Sequence, residues 1–336
     1  MSEIGTVDCG YLATIQAFAD KQWLDPIKNI DLRADVQAAT AVLENQSVKF
    51  EELTGRKTKT VSLEWLTACE LEDEACGDDC TITGDDALPV CKEYEISCLR
   101  EVSFKVPERA YKERTIEMQE SIAFMLGNAK KVLDNYIDEY ILTCIEASAG
   151  VNVYDEGIGN VANDITYISA PYWDDQIWGY FDLVARLNKF TNAYGITGTN
   201  LYQLIFNRMK EQANADGRGN FAKMNTVRMY LDPEHVEVVA PHDTFLIHKT
   251  ALAFINKAWY PEGAVNAETR AGVYHMWSEK SNNLPIYYDI IMQESCDSNE
   301  FSQAFKVQLH GLCALNPLPC DDSNTGVLEF HCGEAE

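Results

Sequence analysis

Positive charge is scarce in this sequence: 27 Lys and Arg stand against 53 Asp and Glu, a formal charge of −26 over 336 residues. Such a chain repels phosphate backbones, and no Lys/Arg run supplies a local basic face, so a general nucleic-acid-binding role is disfavoured. Long apolar runs are missing too. No stretch of about 18 apolar residues exists, so no membrane-spanning helix is expected. The opening MSEIGTVDCGYLATIQAF lacks a basic segment followed by a continuous apolar one, so no secretory signal is expected either. The chain reads as a soluble protein made in the cytosol. Local catalytic motifs are absent: there is no GxxxxGK[ST], no GxGxxG after a strand, no HExxH and no GxSxG.

What is present is an ordinary apolar fraction, 46%, in a chain long enough for about two domains. Residues 11–45 read as helix broken at Pro26, with LRADVQAATAVLEN resuming the pattern. Residues 57–68 are β-like, with Val61, Leu63 and Trp65 on one face. Residues 93–106 alternate more cleanly: Tyr94, Ile96, Cys98, Val102, Phe104 and Val106 share a face broken only by Arg100. Two such strands around a polar tip predict a long β-hairpin.

Pro107 then stops the strand and opens a helix, where its missing N–H costs nothing. The pattern runs on to Gly150, with Ile122, Leu126, Ala129, Leu133, Tyr136 and Tyr140 as a buried stripe. About 40 residues make a rod of roughly 60 Å. Lys112, Glu113, Lys130, Lys131, Asp134 and Asp138 fall on its expected outer faces. From about 160 to 290 the chain mixes helix (172–195, 198–217, 248–258) with strand (236–240, 284–293), too irregularly for a doubly wound sheet. The end reads as two strands around a proline-rich turn.

Nine of the eleven cysteines cluster in 69–98 and 296–332. The stretch CELEDEACGDDC, residues 69–80, adds six acids to three of them. Cys76 and Cys80 have the spacing of one zinc knuckle, but a second short-spaced pair is missing. The hairpin offers another reading. With Trp65 opposite Val102, Leu63 faces Phe104 and Val61 faces Val106. The same register sets Cys69 opposite Cys98 and Cys76 opposite Cys91, at separations of about 4.5–5.5 Å that a disulfide can bridge. Cys80 is left over, and free thiols remain a third alternative. Similar pairing at the C-terminus sets Cys313 opposite Cys332.

Two other constellations were weighed for chemistry. His235, His242, Asp243 and His248 match no common zinc spacing, and the plainer reading is a strand flanked by loops with Asp243 capping a helix. Asp174 and Asp175 lie among Tyr172, Trp173, Trp178 and Tyr180. Paired carboxylates beside aromatics suggest a glycosidase, yet adjacent helical residues do not face one substrate.

The element order resembles an α+β family, the major capsid proteins of tailed bacteriophages, whose fold is named after phage Hong Kong 97. The resemblance rests on KTVSLEWL and EYEISCLREVSFKV as strands of an extended loop, the long helix from Pro107 as spine, and DPEHVEVVAPHDTFLIHKTALAFINK and NLPIYYDIIMQ within the body. It implies an N-terminal arm (1–56), an extended β-hairpin (57–106), a peripheral domain with spine helix (107–160), an axial domain (161–290) and return strands (291–336). It implies a structural, non-enzymatic protein without cofactors or metal. Copies of it would assemble in the host cytoplasm as hexamers and pentamers of a virion shell, with portal, decoration and minor capsid proteins as further partners and DNA enclosed but not gripped. Glu70, Glu72, Asp73 and Glu74, with Cys80, are the expected contacts to a neighbouring subunit. An encapsulin-like compartment shares the fold. A metal-dependent or glycoside hydrolase using residues 172–248 is the alternative of a different class.

Overall fold

Two antiparallel neighbours compete for the strand at 97–107, and the more distant one wins. The computed structural model describes residues 34–46, 59–66, 89–108, 118–154, 157–174, 176–190, 192–202, 204–205, 221–224, 227–260, 265–269, 272–297, 300–315 and 325–333. Strand β1 (Thr60–Leu66) pairs with β2 (Pro89–Glu95), and β3 (Ser97–Pro107) leaves that hairpin altogether. Trp65 therefore lies opposite Val90, Leu63 opposite Lys92 and Val61 opposite Tyr94, which replaces the expected register.

The partner that takes β3 is β14 (Glu300–Leu315), sixteen residues long. Its alternate residues Phe305, Val307 and Leu309 are buried and present an apolar face that a local hairpin partner does not match. Phe104 stacks on Phe305 with ring centroids 5.0 Å apart. The pairing shifts at Leu99, which has no opposite residue between Leu309↔Arg100 and His310↔Cys98. This bulge reverses the in–out phase. It packs Leu99 against the core and leaves Cys98 and Arg100 exposed.

A six-stranded antiparallel sheet forms around β14. Its order is β10 (Leu252–Asn256), β14, β13 (Tyr287–Asp297), β12 (Gly272–Lys280), β11 (Val265–Thr269), with β3 also on β14. Trp277, Tyr288, Ile290, Met292, Phe305 and Val307 alternate onto one buried face. Residues 252–256, all buried, were expected to be helical; an apolar run this short carries no decisive period.

A second sheet of seven strands runs β4 (Gly159–Ala162), β5 (Ile165–Ile168), β15 (Val327–Cys332), β9 (Asp243–Ile247), β6 (Tyr194–Thr197), β8 (Val227–Leu231), β7 (Phe221–Met224). Only the β5–β15 and β6–β8 neighbours are parallel. β14 and β15 thus belong to different sheets, so the expected C-terminal strand pair is not formed. β10 to β13 join the sheet of β3, and β15 returns to the sheet of β4 to β9.

Four helices cover these sheets among the described residues. Helix α1 (Gln37–Asn45) buries Ala38, Ala39, Ala41 and Val42, small residues that allow close approach. Helix α2 (Met118–Glu146), about 43 Å long at ~1.5 Å per residue, is the expected spine over its described part. Helix α3 (Gln176–Leu187) packs Ile177, Phe181 and Val184 against Leu246, Leu328 and Phe330 on one face of the seven-stranded sheet. Helix α4 (Pro233–Val239) replaces the strand expected at 236–240. Its cause is local: the Asp232 carboxylate accepts the His235 N–H at 3.2 Å, and Pro233 sits in the first turn.

The expected stripe on α2 is buried through Ile122, Leu126, Ala129 and Leu133, while Tyr136 and Tyr140 are half-buried. Lys130, Asp134 and Asp138 are buried as well, against expectation, because α1, α4 and the β12–β13 connection cover the side that was expected to face water. Ile137, fully buried between these layers, reports on the packing. Ile137→Ala should lower stability by about 2–5 kcal/mol in urea unfolding of the subunit; a change below about 0.5 kcal/mol, typical of surface positions, would contradict this placement.

Candidate functional site

The hairpin root is built from side chains of two sheets. Val61 and Ile96 are each 2% exposed and pack with Ile255, Leu312 and Ala314, with Tyr94 against them. The Ile96 N–H donates to the Lys59 carbonyl at 2.8 Å, and the Tyr94 hydroxyl donates to the Leu315 carbonyl at 3.4 Å. Beyond this root, β1 and β2 pair only with each other among the described strands. Among the described strands, each thus has one edge with no strand beside it, the usual place for adding another chain.

A second feature of the body is a junction of buried ionisable groups. Helix α1 begins at Val36, whose side chain makes no cap. Its first free N–H groups are satisfied from far away in sequence: Ala38 N–H by Asp232 Oδ2 at 3.0 Å, Ala39 N–H by Asp138 Oδ1 at 2.7 Å. Carboxylates are favoured at that end of a helix by its dipole. His235 Nδ1 lies 3.2 Å from both Asp138 Oδ2 and Asp232 Oδ1. The hydrogen bond from Nδ1 goes to Asp232 Oδ1, and Asp138 Oδ2 accepts none.

The electrostatics follow from that geometry. Burial alone would push the His235 imidazole down, but the two carboxylates outweigh it and hold its pKa at about 10. Burial raises Asp138 well above the ordinary carboxyl range, helped by its neighbour Asp232. Burial opposes ionisation of Asp232 too, yet hydrogen bonds from His235, Asp138 and the Ala38 N–H bring it below the ordinary range. Asp138 thus keeps a proton, Asp232 is the anion, and His235 is the cation. The three ligand atoms lie within 4.8 Å of one another, a spacing compatible with one cation; the imidazolium supplies the positive charge there.

Other residues singled out by the sequence are spread apart. His242 is exposed with its Nδ1 3.7 Å from Glu237, His248 packs edge-on against Phe190, and Asp243 starts β9 and meets His331 at 2.6 Å. Asp243 therefore caps no helix. These groups do not converge with His235. Asp174 caps α3 by accepting the Gln176 N–H at 2.8 Å; Asp175 lies outside the described residues. Cys98 is a free, exposed thiol opposite His310, and Cys91 lies opposite Glu64, so the register that aligned the cysteines is not formed. Cys313 lies opposite Phe254 in one sheet and Cys332 on β15 in the other, both as free thiols. Cys69, Cys76, Cys80, Glu70, Glu72, Asp73 and Glu74 lie outside the described residues.

The sequence reading missed Asp138 and Asp232. A signal existed for each. Asp232-Pro233-Glu234 is a helix-start pattern, and Lys130, Asp134 and Asp138 recur every four residues between apolar positions, a polar row that a helix covered on both sides would bury.

The junction carries a pH signature. The folded pKa of His235, about 10, exceeds its ordinary value of 6.5. Its stabilising contribution is therefore complete below about pH 6.5 and is lost as pH rises towards 10. In urea unfolding, the stability advantage of the natural protein over His235→Gln should shrink steadily across that window; parallel pH curves would contradict an imidazolium here.

No family model matches the sequence, and no curated protein matches it. Solved structures do. The chain is similar to a chain of the capsid of Ralstonia phage GP4, covering 92% of this chain and 94% of that one at 11% identity, with a TM-score of 0.51. It is likewise similar to a chain of the Cyanophage A-1(L) capsid asymmetric unit, covering 91% and 95% at 8% identity, with a TM-score of 0.53. At such identities the shared property is the path of the backbone, and it is shared over nine-tenths of both chains. The fold of this chain is therefore the phage capsid fold that its sequence resembles in the order of its elements.

Proposed function

We propose that the chain is the shell-forming major capsid protein of a tailed bacteriophage. The observation that carries the reading is the hairpin β1–β2, anchored at its root by Val61 and Ile96 and without a further strand partner among the described residues, on a body with the capsid fold. Copies of the chain satisfy those edges in one another. Contacts of this head-to-tail kind close into rings, here hexamers and pentamers of an icosahedral shell. The arm (1–56), extended hairpin (57–106), spine segment (107–160), axial segment (161–290) and return strands (291–336) are its functional divisions. Portal, decoration and minor capsid proteins complete the virion, which is assembled in the host cytoplasm. The charge of −26 suits a wall that encloses DNA without gripping it. The role is structural and calls on no catalytic residue or cofactor.

Sedimentation of the full-length protein tests this reading. Particles or ring-sized capsomers are expected, and a small oligomer at every concentration and salt would contradict it. The acids at the hairpin tip are proposed to meet a basic patch on the neighbour. Reversing them together (Glu70→Lys, Glu72→Lys, Asp73→Lys, Glu74→Lys) should leave a folded subunit that no longer sediments as closed particles, whereas unchanged particle yield would remove the tip from the interface.

A further inference from the structure

The thiol pairing that the topology creates is one that strand arithmetic does not find. Cys144 lies in the last turn of α2, and Cys313 lies on β14 directly opposite Phe254 of β10. Tyr140, one turn before Cys144, meets Phe254 edge-on with ring centroids 6.3 Å apart. Residues four apart share a helix face. The face of α2 that touches Phe254 therefore also reaches its cross-strand neighbour. There the Cys144 and Cys313 thiols hydrogen-bond each other, and the Tyr140 hydroxyl hydrogen-bonds Cys144. Both cysteines are free and only partly buried.

The contact has a direction. The Cys313 thiol and the Tyr140 hydroxyl both donate towards Cys144 Sγ. Of these, the Cys313 contact does most to bring the Cys144 thiol below its ordinary range, against the opposing effect of burial. The same contact, with burial, holds Cys313 well above that range. The thiolate is the nucleophile in disulfide exchange, and Cys144 is the thiol whose contacts favour that form.

We propose that Cys144 and Cys313 are a redox pair that closes a disulfide between α2 and β14 when the chain meets a small-molecule disulfide of the glutathione class. The Cys144 thiolate attacks one sulfur of that molecule; its S–S bond breaks and one small thiolate leaves. The Cys313 thiol then gives up its proton and attacks Cys144 Sγ, expelling the second small thiolate. Two protein thiols are oxidised, one small disulfide is reduced to two thiols, and the two protons end on those thiols. Closure brings the sulfurs from hydrogen-bond contact to about 2.05 Å. The bond ties the end of the spine helix to the central strand of the six-stranded sheet, and it does not depend on assembly.

The test uses full-length protein purified under reducing conditions, incubated with oxidised glutathione, alkylated and mapped as peptides without reduction. A peptide pair joining Cys144 to Cys313 is expected. It should be lost in Cys144→Ser and in Cys313→Ser, it should revert with dithiothreitol, and its formation should raise the thermal midpoint reversibly. Recovery of both cysteines in alkylated form overturns the proposal. So does Cys144 held as a glutathione mixed disulfide beside a free Cys313, which would mean that the second attack does not occur. The natural chain alone decides between these outcomes, so a serine variant that fails to fold leaves the answer intact.

Discussion

A row of buried polar side chains on α2 holds the layers of this protein in one arrangement. Lys130, Asp134 and Asp138 follow one another four residues apart and are each 5% exposed or less. Lys130 pairs with Glu279 of β12. Asp134 accepts from Ser281 at 2.8 Å, Asn283 at 2.7 Å and Tyr288 at 2.5 Å, which fixes the β12–β13 connection. Asp138 takes the first turn of α1 and sits against His235 of α4. Apolar contacts tolerate sliding; buried hydrogen bonds and ion pairs do not, because leaving a buried polar group without its partner costs about 1–3 kcal/mol, and more for a charged one. The row therefore indexes the six-stranded sheet, the arm helix and the seven-stranded sheet against a single helix.

That indexing has a mechanical consequence. With the body fixed, the hairpin β1–β2 is held by its root, where Val61 and Ile96 fit among Ile255, Leu312 and Ala314. A root packed on rigid strands sets a direction for what projects from it. The proposed repetition of one contact through a shell needs such a direction, since a small error at each contact prevents closure. The net negative charge adds solubility and repulsion from nucleic acid.

Much of this order was legible in the chain. The alternation of 93–106, the stripe from Ile122 and the helix at LRADVQAATAVLEN all reported their element types, because each side chain there faces a single environment. Register was not legible. Trp65 against Val102 is a sound local pairing, but β14 lies some 200 residues away in sequence and offers Phe305 to Phe104, and no local arithmetic weighs that competitor. The bulge at Leu99 was visible only as an unexplained Arg100. Arg100 rests 5.1 Å from the Tyr136 ring, a contact between elements that sequence spacing does not express. Asp134 and Asp138 looked like solvent-facing residues for the same reason: their partners Ser281, Asn283, Tyr288 and the arm backbone come from distant segments.

The central claim is that these features serve a repeating wall. Negative-stain electron microscopy of the purified full-length protein tests it most directly. The account predicts closed shells, or rings of five and six subunits, in the images. A uniform field of monomers or of one small fixed oligomer, under conditions where the chain is folded, would contradict it.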